Sequence, residues 1–113
     1  MSSSAVILIV DDEETIRFSI KEFLGGQGYE VIVAETCEQA LAKINEFLPD
    51  LVLMDLRLPN MGGIELLEKV KTKDPNALII VMTGFGSVDT AVEAMKIGAY
   101  DYLEKPFKTE HLK

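Results

Sequence analysis

Three acids, a threonine and a lysine stand where short apolar runs of this sequence end, and their chemistry is complementary. Asp11 and Asp12 follow Ala5-Val6-Ile7-Leu8-Ile9-Val10, and Asp55 follows Leu51-Val52-Leu53-Met54. Thr83 follows a run from Leu78 to Met82, and Lys105 follows one from Tyr100 to Leu103 after a single glutamate. Three carboxylates gathered at one place repel one another. A hard divalent cation such as Mg²⁺, or Mn²⁺, relieves that repulsion, because it takes oxygen ligands and keeps several waters. A threonine hydroxyl can donate to an anionic oxygen. A lysine ammonium can pair with Asp55 or with an incoming phosphoryl group. Each residue also has a plainer reading: Asp12 as a helix cap, Thr83 as a helix-entry threonine, Lys105 as a solvated surface lysine. Asp-Asp alone is a weak motif. The functional reading gains its weight from four strand ends presenting matched groups together.

That convergence requires a parallel sheet, and the chain alternates accordingly. Ala5–Val10 reads as a strand buried on both faces. Ile16, Ile20, Phe23 and Leu24 recur at helical spacing over 15–24, and Gly25-Gly26 is expected to stop that helix. Tyr29–Ala34 reads as a second strand. Thr36 and Gln39 form a capping box for a helix with Ala40, Leu41, Ile44 and Phe47 on one face. Leu51–Met54 is strand three. A loop with strong turn character, Leu58 to Gly63, leads to a helix whose core candidates are Ile64, Leu67 and Val70. Leu78–Met82 is strand four. After a glycine-rich loop with Phe85, Ser87 is expected to cap a helix that buries Val88, Ala91, Val92 and Met95 and leaves Asp89, Glu93 and Lys96 wet. Gly98 ends it, and Tyr100–Leu103 is strand five. The pattern is alternating α/β, with a mostly parallel sheet covered on both faces. In such a sheet ligands sit beyond the carboxyl ends of the strands.

Bulk properties narrow the possibilities. The chain has 113 residues, 48% of them hydrophobic and 27% charged, which suits one domain with a substantial core and neither disorder nor a membrane span. Residues 1–4 are expected to be a frayed tail without the basic residues of a secretory leader. The only cysteine is Cys37 and the only histidine is His111, too few for a disulfide, a thiolate zinc site or a histidine triad. A reducing compartment, most simply the cytoplasm, is expected. A net charge of −8 disfavours direct nucleic-acid binding. Met54, Met82 and Met95 are expected to pack in or near the core.

Val10-Asp11-Asp12-Glu13, Pro49 through Leu56, Leu58-Pro59-Asn60-Met61-Gly62-Gly63, Met82-Thr83-Gly84 and Lys105-Pro106-Phe107 appear in an order and spacing that resemble the receiver domains of bacterial two-component response regulators. The stretch from Gly98 to Phe107 is similar to receivers of the nitrogen-regulation type, which precede modules that activate alternative-sigma-factor transcription. The resemblance implies a flavodoxin-like doubly wound fold, a five-stranded parallel sheet of order 2-1-3-4-5 in an α/β/α sandwich. Residues 5–113 would be the receiver, with its last helix incomplete. It also implies that Asp55 is the phosphorylated residue. Asp11, Asp12, Asp55 and the backbone carbonyl of Arg57 would be metal ligands, Thr83 the switch hydroxyl, Lys105 the phosphate contact and Tyr102 the switch aromatic. The expected partner is a sensor histidine kinase or histidine phosphotransfer protein, and a homodimer through the helix 4/strand 5 side is expected. Gly84 departs from the alanine found in many receivers.

Two other functions compete. A metal-dependent phosphohydrolase could also use an aspartyl nucleophile, but its characteristic second aspartate would stand at 57, where this chain has arginine. A pseudo-receiver that only binds would not need the complete set of acids, hydroxyl and lysine. A dinucleotide-binding module is disfavoured because Gly25-Gly26-Gln27-Gly28 follows the first helix instead of preceding it.

Overall fold

The computed structural model describes residues 5–55, 63–83 and 88–104; at 63, 83, 88–91 and 104 it describes the backbone alone. The elements run β1 (Val6–Val10), α1 (Glu14–Gly26), β2 (Glu30–Ala34), α2 (Cys37–Phe47), β3 (Leu51–Asp55), α3 (Gly63–Lys73), β4 (Ile79–Thr83), α4 (Val88–Ile97) and β5 (Asp101–Glu104). All four strand pairings are parallel, in the order β2-β1-β3-β4-β5. The expected residue 1–4 tail, the Ser87 cap, Phe85 and the final helix lie outside the described residues.

Alternation along the strands divides the core in two. Leu8, Val10, Val52, Met54, Ile79 and Val81 face α2, α3 and α4, where Ala40, Leu66, Leu67, Val70 and Ala94 meet them. Ile7, Ile9, Leu53 and Met82 point to the opposite face, where Ile20 and Leu24 of α1 close over them. Right-handed crossovers dictate this split. The chain steps one way from β1 to β2 and the other way from β1 past β3, so α1 lands on one face and the later helices on the other. The reversal leaves a crevice at the carboxyl ends of β1 and β3.

Local chemistry sets the element ends. Thr36 Oγ1 accepts from the Gln39 N–H at 3.1 Å, and Gln39 Oε1 accepts from the Glu35 N–H at 2.9 Å. The capping box is therefore present, with its return bond reaching one residue before the cap. Helix α1 does not stop at Gly25-Gly26. Both glycines stay helical, and the turn is made at Gly28, whose φ is +97°. The Gly28 N–H donates to the Gly25 carbonyl and the Tyr29 N–H to the Leu24 carbonyl, which satisfies the last turn. Gly98 ends α4 as expected, with φ +128° and its N–H bonded to the Ala94 carbonyl at 3.1 Å.

Three packing expectations need correction. Leu66, absent from the expected core of α3, is fully buried beside Leu67, whereas Ile64 is only partly buried. Phe47 lies at the solvent-exposed end of α2, its ring 5.6 Å from the Lys43 ammonium. On α4 the core contact is made by Ala94 and Ile97, while Val92 and Met95 are exposed. The bulkier residues marked the wrong face, since it is the small Ala94 that is fully buried there. Met54 and Met82 are buried as expected, but Met95 is 40% exposed.

Two glycine substitutions should move stability in opposite directions. A Cβ at Gly25 meets nothing within 4 Å, so Gly25→Ala should stabilise by about 0.5–1 kcal/mol through the unfolded chain. A Cβ at Gly98 would stand 2.9 Å from Lys71 Cε on a left-handed backbone, so Gly98→Ala should destabilise by about 1 kcal/mol or more. Urea unfolding of the two variants measures both signs.

Candidate functional site

β1 delivers Asp11 and β3 delivers Asp55 to the crevice. Val10 pairs with Met54 and also with Ala34, which puts the end of β1 between its two neighbours. Asp11 continues the ladder by one bond, its N–H donating to the Ala34 carbonyl at 3.1 Å. Its side chain is 0% exposed, and Oδ1 accepts from the Glu13 N–H at 2.8 Å. That bond braces the turn into α1. Glu13 occupies the N-cap position without a side-chain cap bond, so Asp12 is not the cap that the plainer reading made it. Asp12 is exposed. Asp55 belongs to β3 itself, paired with Met82 and 5% exposed, so the strand runs one residue beyond its expected end.

The three expected acids do meet. One carboxylate oxygen each from Asp11, Asp12 and Asp55 lies within 4.8 Å of the others. Such a spacing fits a shared divalent cation with oxygen ligands. The burial is graded, with two carboxylates inside and one at the mouth. An ion could therefore be held on one side and stay hydrated on the other. The cluster is capable of coordinating a divalent metal.

The remaining expected residues are placed less fully. Thr83 is the last residue of β4, one step beyond the Met82 that pairs with Asp55, and its own partner is Glu104. Its backbone thus stands at the same sheet edge. Arg57 and Lys105 lie outside the described residues. Tyr102 is on β5 opposite Val81, 43% exposed, with its N–H bonded to Asp101 Oδ1 at 2.8 Å.

Sequence reasoning missed Arg17. Its Nη1 donates to the Asp11 carbonyl at 2.8 Å, and its Nη2 lies 3.8 Å from Glu35 Oε2 just after β2. The signal was present, because Arg17 is the only cation in the first turns of a helix that begins among four consecutive acids, Asp11 to Glu14. It was overlooked because it does not stand at a strand end.

Residues 7–113 match the family model for the response regulator receiver domain. The chain belongs to the response regulator receiver family. The carboxylate cluster thus matches the phosphoacceptor site typical of response regulators. It is 46% identical over 106 residues to the transcriptional regulatory protein ZraR of Klebsiella oxytoca, a match covering 94% of this chain and 24% of that protein. It is 38% identical over 107 residues to sporulation initiation phosphotransferase F of Bacillus subtilis (strain 168), covering 95% of this chain and 86% of that protein. The receiver domain of NtrX from Brucella abortus superposes with a TM-score of 0.91 at 40% identity, covering 94% of this chain and 90% of that one. The chain spans about a quarter of the length of ZraR and of the regulatory protein AtoC of Escherichia coli (strain K12). Among the described residues, no helix is long and apolar enough to cross a membrane.

A receiver with this cluster should be stabilised by divalent cation. At a concentration of about 100 times Kd, binding should add about 2.7 kcal/mol and raise Tm by roughly 10 °C. In Asp11→Asn at the same concentration, less than half of that rise should remain. Differential scanning calorimetry with and without MgCl₂ reads both values.

Proposed function

We propose that Asp55 is the residue that accepts the phosphoryl group, donated by a phosphohistidine on a partner kinase or phosphotransfer protein. The observation that carries this is the position of its carboxylate. It ends β3 at the crevice with two further acids beside it, so those two can hold a cation while an Asp55 oxygen meets phosphorus. In the transfer, that oxygen forms the O–P bond as the N–P bond of the phosphohistidine breaks, and the imidazole leaves with the electron pair. A bound Mg²⁺ would offset the charge on the phosphoryl oxygens. Asp11 and Asp12 would hold it with Asp55 and the Arg57 carbonyl. Lys105 would pair with the phosphoryl oxygens, and the Thr83 hydroxyl would donate to them. Hydrolysis of the acyl phosphate by water resets the domain.

The modification exchanges a carboxylate for a dianionic acyl phosphate with more acceptor oxygens. Thr83 moves toward it, Tyr102 turns inward into the space released, and α4 repacks with β5. A mobile α4 suits its shallow contact, in which Ala94 is its only fully buried side chain among those described. The exposed Val92, Met95 and Tyr102 offer an apolar surface on the α4/β5 side, which supports a homodimer formed there on phosphorylation. In the whole protein this switch regulates transcription through an output module, in the cytoplasm.

Incubation with Mg²⁺ and a small phosphodonor should add one phosphoryl group to the wild type and none to Asp55→Asn, as read by intact-mass spectrometry. Modification of Asp55→Asn to the wild-type extent would place the acceptor elsewhere. The Tyr102 ring resonances should shift between unphosphorylated and phosphorylated protein. Identical ring and α4 spectra in the two states would contradict the switch.

A further inference from the structure

We infer that Arg17 is a positioning residue for the acidic cluster, which acts by fixing the peptide between Asp11 and Asp12; the inference rests on reading that cluster as a cation site. The two acids are held very differently. Asp11 is 0% exposed, and both its N–H and its Oδ1 are engaged by neighbouring backbone. Asp12 is exposed, and its aim depends on the backbone that carries it. The carbonyl of Asp11 belongs to the same peptide unit as the Asp12 N–H. Arg17 Nη1 donates to that carbonyl at 2.8 Å, a charge-assisted bond that sets the plane of the unit.

Arg17 is itself well placed to be rigid. Its own N–H is bonded to the Glu13 carbonyl at 3.1 Å in the first turn of α1, and its side chain is only 14% exposed. The guanidinium therefore joins α1, the loop after β1 and, through Glu35, the loop after β2. The arms are unequal. The Glu35 side chain is 58% exposed and the separation is 3.8 Å, so this ion pair is weak in water. The contact with the Asp11 carbonyl carries the positioning.

A positive charge beside a cation site invites a simpler expectation of opposite sign. By Coulomb's law alone, removing Arg17 should tighten cation binding. As a positioning residue, its loss should weaken binding, because residues that orient metal ligands typically cost 10–100-fold in affinity when replaced. The sign of the change separates the two.

Isothermal titration of Mg²⁺ into the purified chain provides the test. Arg17→Met keeps much of the stem and loses the guanidinium; its affinity should fall by about tenfold or more. Glu35→Gln should stay within about twofold of wild type. Amide hydrogen exchange of the metal-free protein should show faster exchange in Arg17→Met at the Glu13 N–H, which is bonded to Asp11 Oδ1, with α2 unchanged. Affinity equal to or tighter than wild type in folded Arg17→Met overturns the inference. Should Arg17→Met fail to fold, Arg17→Lys carries the test, since an ammonium lacks the planar fork. Weaker binding and faster Glu13 exchange are expected there, and wild-type values for both overturn the inference. Absence of Mg²⁺ binding by the wild type overturns the cation reading of the cluster and this inference with it.

Discussion

Three like-charged groups held within one ion's reach are the constraint that shapes this domain. Repulsion among Asp11, Asp12 and Asp55 works against folding, and two of the three are also withdrawn from water. The core must hold them there. It does so through β1 and β3, adjacent strands packed between two layers of aliphatic side chains. The site is thus built on rigid elements, with the more adaptable acid at its mouth. A cation or a phosphoryl group changes the balance of charge at this point, which is why the same arrangement that opposes folding can serve as a switch.

The topology explains why the site lies at this edge. Strand order reverses about β1, and the crossovers leave a crevice where β1 and β3 end. Three hydrogen bonds, Asp11 to Ala34, Glu13 to Asp11 and Arg17 to Asp11, and a weaker ion pair from Arg17 to Glu35 tie that crevice together. They connect β1, α1 and the loop after β2. By contrast, α4 meets the core through Ala94 and Ile97 and leaves Val92 and Met95 exposed. One side of the domain is braced for chemistry, and the other is lightly held, as a surface that must repack requires.

Much of this was legible in the residues. Continuous apolar runs identified all five strands, and the acids after two of them identified the site, because a parallel sheet sends every strand's carboxyl end to one edge. The strand order came from the resemblance to receivers, since periodicity does not encode which strands are neighbours. The errors have specific causes. Gly25 and Gly26 look like a helix stop, but the positive φ that makes the turn belongs to Gly28. Val92 and Met95 look like core by their bulk, but the small Ala94 is the residue that α4 buries. Arg17 acts on a backbone carbonyl through a long side chain, and no motif of strand-end residues contains it.

The central claim is that the three aspartates form one cation site, and anomalous diffraction from crystals grown with Mn²⁺ tests it most directly. The account predicts a single strong anomalous peak in the crevice, within bonding distance of carboxylate oxygens of Asp11 and Asp55, with Asp12 reaching the ion directly or through water. A manganese peak elsewhere on the molecule, with the three carboxylates turned away from one another, would contradict it.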